Sequence, residues 1–194
     1  YGENPHQRSS IYINDFNDKE LGFNILGGKE LSYNNYNDMF VSLEILKSIK
    51  KKPTTVIIKH ANPCGVSTNI SPLNSFKNAF ASDPLSAFGG VVACNYKIDK
   101  SLAKLITNNF LEIIMARGFE KTAIDILKKK KNLRIIDISK YKEKDHGKIK
   151  SFNGSFLIQD TDRLVFNKRD LKFVTKLKPS KKEIEEAEFA FNIC

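Results

Sequence analysis

Short apolar runs alternate with amphipathic stretches along the chain. The runs are rich in β-branched residues and predict buried strands at Thr54–Lys59 and Val91–Cys94, and further strands at 111–115, 133–138 and Ser155–Gln159. The amphipathic stretches repeat apolar residues at helical spacing and predict helices over residues 38–50, near 72–81, from 99 onward, and over 120–130. Alternation of this kind is typical of an α/β sheet with crossover helices. Ligands of such sheets bind beyond the carboxyl ends of the strands, so we expect a site in the loops after Lys59, Ala93 and Met115.

Local residue types set the expected boundaries of several elements. Asp38 and Asp99 precede apolar residues at helical spacing, and each is predicted to cap its helix. Phe110 continues the apolar spacing of the second of these helices and is expected to face inward. Residues 60–71 are rich in turn-forming residues and are predicted to form a loop, whereas residues 9–13 predict a short strand.

The chain closes in a predicted helix. Ser180 can cap this helix, and Glu183 completes a capping box. Apolar residues then fall on one helical face: Ile184, Ala187, Phe191 and Cys194. Because no residue that ends a helix follows, and because the chain does not begin with Met, we expect it to be part of a longer protein.

The composition is that of a globular domain with an excess of positive charge. Hydrophobic residues make up 41% and charged residues 28%, which excludes wholesale disorder. No apolar run approaches the roughly 18 residues of a membrane helix, and the 3 cysteines do not suggest a disulfide framework. We therefore expect a cytoplasmic protein. The formal net charge of +10 would attract nucleic acid, anionic membranes or anionic small molecules, and it also fits a lysine-rich solvated surface.

The strongest candidate for chemistry is Lys59-His60, which directly follows a predicted strand. A histidine there can act as a general base, and a neighbouring lysine can stabilise an oxyanion. Neighbouring side chains of a strand point to opposite faces, so both serve one site only if the backbone turns near His60. The turn-forming residues 62–65 allow such a turn. The alternative is a histidine held by the loop backbone beside a solvated lysine.

Other positions carry weaker signals, and each has a structural alternative. Gly89 belongs to a Gly-Gly pair that lets a ligand approach closely, but such a pair also makes a tight turn before a strand. Asn35 lies where a helix begins, and its amide suits either a polar ligand or a cap. Glu112 opens an apolar strand, where it lies at the sheet rim or pairs with a specific partner. The lysine run 128–131 is most simply a solvated helix end.

Several known kinds of site are excluded. His60 and the later Pro63-Cys64 are similar to part of the zinc deaminase signature, but Asn62 replaces its Glu and Ser67 its second Cys. A zinc site would therefore be short of ligands. The chain also lacks the Gly-rich nucleotide motifs, the nucleophile elbow and recognisable RNA-binding signatures.

Four motifs occur in order along the chain. They are YGENPHQ at residues 1–7, GKELSYNN at 28–35, KHANPCG at 59–65 and DPLSAFGG at 83–90. Together they closely resemble the AICAR transformylase region of the bifunctional purine biosynthesis enzymes. The resemblance continues to the closing helix at Pro179-Ser180, so it spans the whole chain.

The resemblance implies a three-layer, cytidine-deaminase-like α/β fold. Residues 1–178 would form the first of two such subdomains, and residues 179–194 would begin the helix that leads to the second. The implied reaction belongs to purine (IMP) biosynthesis: a formyl group passes from the co-substrate 10-formyltetrahydrofolate to the 5-amino group of AICAR, giving FAICAR, without a metal. The implied partners are AICAR, folate, the rest of the polypeptide with its IMP cyclohydrolase domain, and a second copy in a homodimer. Neither nucleic acid nor a membrane is expected, and we expect little activity from these residues alone.

The resemblance also assigns roles to individual residues. His60 would be the general base for the amine, and Lys59 would assist the developing charge. Leu85 lies where the folate would approach. The positions expected to contact AICAR are Tyr1, Asn35, Gly89 and Glu112.

Some positions depart from the family pattern, and two other functions stay open. The family arginine that would precede Tyr1 is not in the sequence, and Arg117 and Asn153 replace a usual Pro and a frequent Gly. These two changes affect loop shape rather than the reaction. The main alternative function is a basic α/β module that binds RNA or another anion without catalysis. The other is a structural remnant of an enzyme.

Overall fold

The computed structural model describes residues 2–4, 6–12, 22–49, 52–142, 147–162 and 168–194. The chain divides into two compact units, one made of Tyr1–Tyr141 with Ile193 and the other of Lys142–Asn192 with Cys194. The division at residue 178 that the family resemblance implies stays a prediction.

Six strands of the first unit form one mixed sheet in the order β1-β6-β5-β4-β2-β3. Their bounds are β1 Asn24–Gly27, β2 Thr54–Lys59, β3 Asn62–Thr68, β4 Val91–Cys94, β5 Ile113–Ala116 and β6 Arg134–Asp137. Strands β4, β5 and β6 are parallel to one another. Strand β2 lies antiparallel to both β4 and β3, and β1 is antiparallel to β6.

Helices cover both faces of this sheet. Their bounds are α1 Tyr33–Ser48, α2 Pro72–Ser82, α3 Pro84–Ala87, α4 Lys100–Thr107 and α5 Lys121–Leu127. One core cluster joins α1 to the sheet, and a second joins α2, α4 and α5 to it. The α/β class and the three layers predicted from sequence are therefore confirmed.

Alternation along the strands explains why both faces are apolar. In β2, Val56 and Ile58 pack with Met39 of α1, while Ile57 between them packs with Phe76 of α2. Successive strand side chains point to opposite faces, so a run buried on both sides has to be apolar throughout. Each of these side chains is almost fully buried, and each contributes about 1.5–3 kcal/mol to the stability of the fold.

Most of the predicted core elements are confirmed. Strands β2 and β4 have the predicted bounds, and β5 and β6 overlap their predicted ranges. Helix α4 begins after Asp99, whose carboxylate accepts a hydrogen bond from the Leu102 amide at 2.8 Å. This hydrogen bond holds the pKa of Asp99 below its usual value. Phe110, expected to face inward from this helix, lies beyond its end and is half exposed, so that prediction is wrong.

The predicted start of the first helix is also wrong. Helix α1 begins at Tyr33, and its cap is Ser32, whose hydroxyl accepts from the Asn35 amide. The Asn35 side chain accepts in return from the Ser32 amide at 3.1 Å, which completes a capping box. This reciprocal pair satisfies two amides that no helical carbonyl can reach. Asp38 therefore lies inside the helix and is free to contact another element.

Two short segments differ from the sequence-based prediction. Among residues 9–13, the described residues 9–12 form no strand, and Ile13 lies outside the described residues. An edge strand that was not predicted, β1, forms instead and pairs with β6. Its first two residues, Asn24 and Ile25, are exposed, so it lacks the continuous apolar signal that identifies the central strands.

Residues 60–71 were predicted to be a loop, but most of them form β3. Strands β2 and β3 pair from Thr54↔Thr68 to Lys59↔Asn62, and only His60 and Ala61 connect them. Pro63 is tolerated because β3 is an edge strand and the register shifts beside it. Pro and Gly in this segment therefore indicate an irregular edge strand rather than a loop.

A buried hydroxyl network joins the first residues of β2 to α2. The Thr55 hydroxyl lies 2.9 Å from the Ser75 hydroxyl and 2.6 Å from the Tyr96 hydroxyl. Burial raises the pKa of Cys94 beside them to about 12, and it also raises the pKa of Tyr96. These groups are uncharged at neutral pH, and they stabilise the fold by hydrogen bonding and by packing in the core.

The second unit contains a hairpin and the closing helix. Strands β7 (Lys148–Phe152) and β8 (Ser155–Gln159) pair through a turn in which Asn153 and Gly154 have positive φ. Helix α6, Lys181–Phe191, begins with the predicted capping box of Ser180 and Glu183. No residue of α6 is buried. Within the described ranges, no helix has the length and apolar character needed to cross a membrane.

Candidate functional site at the amino edge of the parallel strands

The antiparallel direction of β2 decides where Lys59 and His60 lie. At the end of β2, Ile58 pairs with Val91, which opens β4, and Val91 in turn pairs with Ile113 at the start of β5. Lys59 and His60 therefore lie at the edge where β4, β5 and β6 begin. The loops after Ala93 and Met115 lie at the opposite edge. The expectation that all three loops would meet at the carboxyl ends is wrong, because it assumed that β2 runs parallel to β4.

His60 and Ala61 form the tight turn of the β2–β3 hairpin. Their φ angles are 54° and 57°, the left-handed pattern of a type I′ turn, which matches the twist of the paired strands. The Asp38 carboxylate accepts a hydrogen bond from the Ala61 amide at 2.7 Å, and the Asn62 side-chain amide donates to the His60 carbonyl at 3.0 Å. The backbone therefore does turn at His60, which the catalytic interpretation requires.

Lys59 reaches across the sheet edge to the segment before β4. Its Nζ donates a hydrogen bond to the Phe88 carbonyl at 2.8 Å. The next residue, Gly89, has a φ of 74° and donates its amide to the Phe110 carbonyl at 2.9 Å. Glycine adopts this left-handed conformation without strain. The structure thus brings Lys59 and Gly89, two predicted site residues, to the same part of the edge.

Asn35 and Glu112 are also brought together. The Asn35 Nδ2 donates to the Glu112 Oε2 at 3.0 Å, although the two residues are 77 positions apart in sequence. An arginine at the start of β6, Arg134, lies 3.7 Å from the same oxygen, and its Nε donates to the Glu30 carbonyl at 2.9 Å. One carboxylate therefore ties the start of α1 to the starts of β5 and β6.

Arg134 and Asp38 are site-edge residues that sequence reasoning missed. Arg134 opens an apolar strand just as Glu112 does, and opposite charges at the starts of neighbouring parallel strands indicate a pair. Asp38 was interpreted as a helix cap because it precedes apolar residues at helical spacing. Its actual partner is the Ala61 amide, and this contact between α1 and the hairpin turn is tertiary, so no local pattern shows it.

The remaining predicted residues lie around this edge or outside the described residues. Tyr1 lies outside the described residues, but the Glu3 carbonyl accepts from the Asn34 side chain at 3.2 Å, which places the amino-terminal motif beside the start of α1. Leu85, on α3, is 89% exposed. Phe88 and Phe110 are exposed as well, and their ring centroids are 4.9 Å apart, so the surface that includes Gly89 is partly apolar.

The Cys64 thiol on β3 lies near charged residues at the start of α3 and at the end of β2. Partial burial raises the pKa of its thiol, the negative charge of Asp83 raises it further, and the positive charge of Lys59 opposes both effects. Asp83 caps α3 by accepting from the Ser86 hydroxyl and amide, which lowers its own pKa. The hairpin and α3 are therefore within electrostatic reach of each other.

Other features of the first unit lie away from these side chains. A cavity of about 390 Å³ contacts α1 and the segment before it, and is lined by Ser9, Ser10, Ile11, Leu31, Tyr33, Tyr36, Asn37 and Phe40. Its lining does not include Lys59, His60 or Gly89. Within the part of the chain that the structure describes, no three His, Cys, Asp or Glu side chains are grouped as metal ligands would be.

The fold and the polar edge define an α/β domain whose charged and polar side chains gather where the parallel strands begin. The chain belongs to the AICARFT/IMPCHase bienzyme family, which matches residues 1–194.

Similar curated proteins cover the whole chain. It is 42% identical to the bifunctional purine biosynthesis protein PurH of Thermoanaerobacter sp. (strain X514) over 196 residues, and 42% identical to the protein of the same name from Trichodesmium erythraeum (strain IMS101) over 194. In both comparisons the alignment covers 100% of this chain and 38% of the relative. The chain thus spans somewhat over a third of the length of these relatives.

Solved structures with a similar arrangement cover about half of the chain. One is a putative formate dehydrogenase accessory protein from Desulfotalea psychrophila, with a TM-score of 0.43 and 13% identity over 51% of this chain and 49% of that one. Another is the dCMP deaminase of cyanophage S-TIM5, with a TM-score of 0.38 and 16% identity over 52% of this chain and 96% of that one.

Proposed function

We propose that this chain carries part of the active site of a formyltransferase of purine biosynthesis. The reaction transfers the formyl group of 10-formyltetrahydrofolate to the 5-amino group of AICAR and gives FAICAR. Family membership and the names of the relatives support an enzyme of this pathway. One observation carries the choice of residues: the β2–β3 turn lies at the same sheet edge as Gly89 and the cluster of Asn35, Glu112 and Arg134.

The chemistry needs a base and a positive charge. The amine of AICAR is a weak nucleophile because its lone pair is delocalised into the ring and the neighbouring carboxamide. His60 accepts a proton from this amine as the new C–N bond forms. The formyl oxygen becomes anionic at the same time, and the ammonium of Lys59 stabilises it. When the intermediate collapses, the C–N10 bond of the folate breaks, and the proton held by His60 passes to the departing nitrogen.

The other site residues bind and orient the substrates. Asn35 and Glu112 offer an amide and a carboxylate to the polar edge of AICAR, while Gly89 lets the ring approach the backbone closely, and Tyr1 adds a contact from the amino-terminal motif. Leu85 and the exposed rings near it offer apolar surface to the folate. Both substrates are anionic, which fits the net charge of +10. The rest of the polypeptide and a second copy complete the site.

An assay of the full-length protein tests this function. We expect AICAR-dependent release of tetrahydrofolate, one for each FAICAR formed, and the same rate in the presence of EDTA. Absence of AICAR-dependent turnover, together with RNA binding that weakens steeply with salt, would instead support the alternative of a basic binding module.

The Lys59→Ala variant gives the matching test of mechanism. Loss of an oxyanion donor in a site closed to water lowers kcat by about 10²–10³-fold. Lys59 is only half-buried and already has a carbonyl partner, so we expect a smaller decrease of about 10-fold. Lys77→Ala, which changes an exposed lysine on α2, serves as the control and should leave kcat unchanged. Equal rates for the two variants would contradict the role of Lys59.

A further inference from the structure

The turn that carries His60 has a conformation that Ala61 disfavours. Type I′ turns prefer Asn and Gly, because both central residues need positive φ. Here the central residues are His60 and Ala61, with φ of 54° and 57°. Among non-glycine residues this region favours Asn, Asp and His, so Ala61 is the strained residue, and it persists there only when its surroundings hold it. Contacts from outside the turn are therefore needed to keep His60 in place.

Asp38 supplies such a contact from another element. It lies in the second turn of α1, is half-buried, and its Oδ1 accepts from the Ala61 amide at 2.7 Å. This distance is typical of a strong hydrogen bond to a charged acceptor. Helix α1 is itself packed on β2 and β4 through Met39, the neighbour of Asp38 in sequence. The carboxylate thus fixes the turn relative to the sheet edge where Gly89 and Glu112 lie.

We propose that Asp38 is a positioning residue that holds the His60 imidazole in its reactive orientation. The proposal rests on the function proposed above, because it takes His60 to be the base. Asp38 touches the backbone beside His60 and acts through that residue. Its essential property is a hydrogen-bond acceptor at this position, so an amide oxygen should replace the carboxylate oxygen.

Three variants of the full-length protein separate positioning from general stability. Small displacements of a catalytic group lower turnover strongly while leaving substrate binding largely intact. Asp38→Ala should therefore lower kcat by about 10-fold. The KM for AICAR and the KM for 10-formyltetrahydrofolate should each change by less than about 3-fold. Asp38→Asn keeps an acceptor and should retain kcat within about 3-fold of the wild type. Glu44→Ala removes an exposed carboxylate from the same helix and should leave kcat unchanged.

The double variant Asp38→Ala/His60→Ala gives the sharper readout. If Asp38 acts through His60, Asp38→Ala should cause no further decrease of kcat once His60 is gone. The same decrease in both backgrounds, or a change confined to KM, would overturn the proposal. If Asp38→Ala does not fold, Asp38→Glu displaces the carboxylate instead, and equal kcat values for the Glu and Asn variants would also overturn it.

Hydrogen exchange separates failure of this proposal from failure of the proposed function. If His60→Ala retains full turnover, the role of His60 as the base is wrong, whatever Asp38 does. In that case the exchange rate of the Ala61 amide still reports on the turn. Faster exchange of this amide in Asp38→Ala than in Asp38→Asn would show that the acceptor holds the turn, whereas equal exchange would show that it does not.

Discussion

The His60→Ala variant of the full-length protein is expected to lose about 10²-fold or more of its kcat for formyl transfer. General base catalysis typically contributes 10²–10⁴-fold, and the amine of AICAR is too weak a nucleophile to react without it. Steady-state measurement of AICAR-dependent release of tetrahydrofolate provides the test. The KM for AICAR should change much less than kcat, because the imidazole acts mainly in the transition state.

Two controls make this result specific to the base. His146→Ala changes the histidine outside the four family motifs and should keep wild-type turnover. Added imidazole should restore part of the activity of His60→Ala, since a small base can take the place of the missing ring, and should not stimulate the wild type. Wild-type turnover of His60→Ala, or a decrease that imidazole does not relieve, would contradict the assignment of His60 as the base.

Gly65→Ala is expected to destabilise the domain by about 3 kcal/mol, at the upper end of the usual effect of overpacking. Gly65 is buried in β3, and a Cβ built on it would overlap the carbonyl oxygen of Ala79 in α2. The obstacle is backbone, so the strand and the helix would have to separate. The shift of the urea midpoint of the full-length protein provides the measurement, read from the transition that includes this domain.

Gly27→Ala is the matched control. Its Cβ would lie 3.3 Å from the Cε of Lys128, the far end of a flexible side chain that can move aside. We expect its urea midpoint to stay close to that of the wild type. Equal midpoints for Gly65→Ala and Gly27→Ala would mean that α2 and β3 are not packed as described. The glycine that ends the KHANPCG motif would then have a role other than packing.

The sequence predicts the centre of the fold well for a physical reason. A strand buried on both faces has to be apolar throughout, and a helix start needs a capping side chain, so both leave local signals. Strand β4 and the cap of α4 at Asp99 are examples. Strand β3 lies at the sheet edge and contains Pro63, so its sequence resembles that of a loop. The turn that pairs it with β2 contains His60 and Ala61 rather than the Asn and Gly that usually indicate a hairpin.

Single residues of the candidate site were identified from sequence, but the sheet edge predicted for the site was wrong. Lys59, Gly89 and Glu112 each stood out locally, yet the edge at which they meet depends on the direction of β2. Alternation of strands and helices favours parallel strands. The hairpin of β2 and β3 reverses the chain direction before β4, and the apolar pattern does not show this reversal. Arg134 was missed because its partner Glu112 directly precedes another strand, β5, and sequence spacing does not show which strands are neighbours.

A crystal structure of the full-length protein with AICAR bound tests most directly whether the amino edge of the parallel strands is the site of formyl transfer. We predict that the 5-amino nitrogen of AICAR lies within about 3.2 Å of a ring nitrogen of His60, the reach of a general base. Gly89 and Glu112 should line the same position. AICAR bound at the opposite edge, beside Arg117 and the loops that follow β4 and β5, would contradict the assignment of the site.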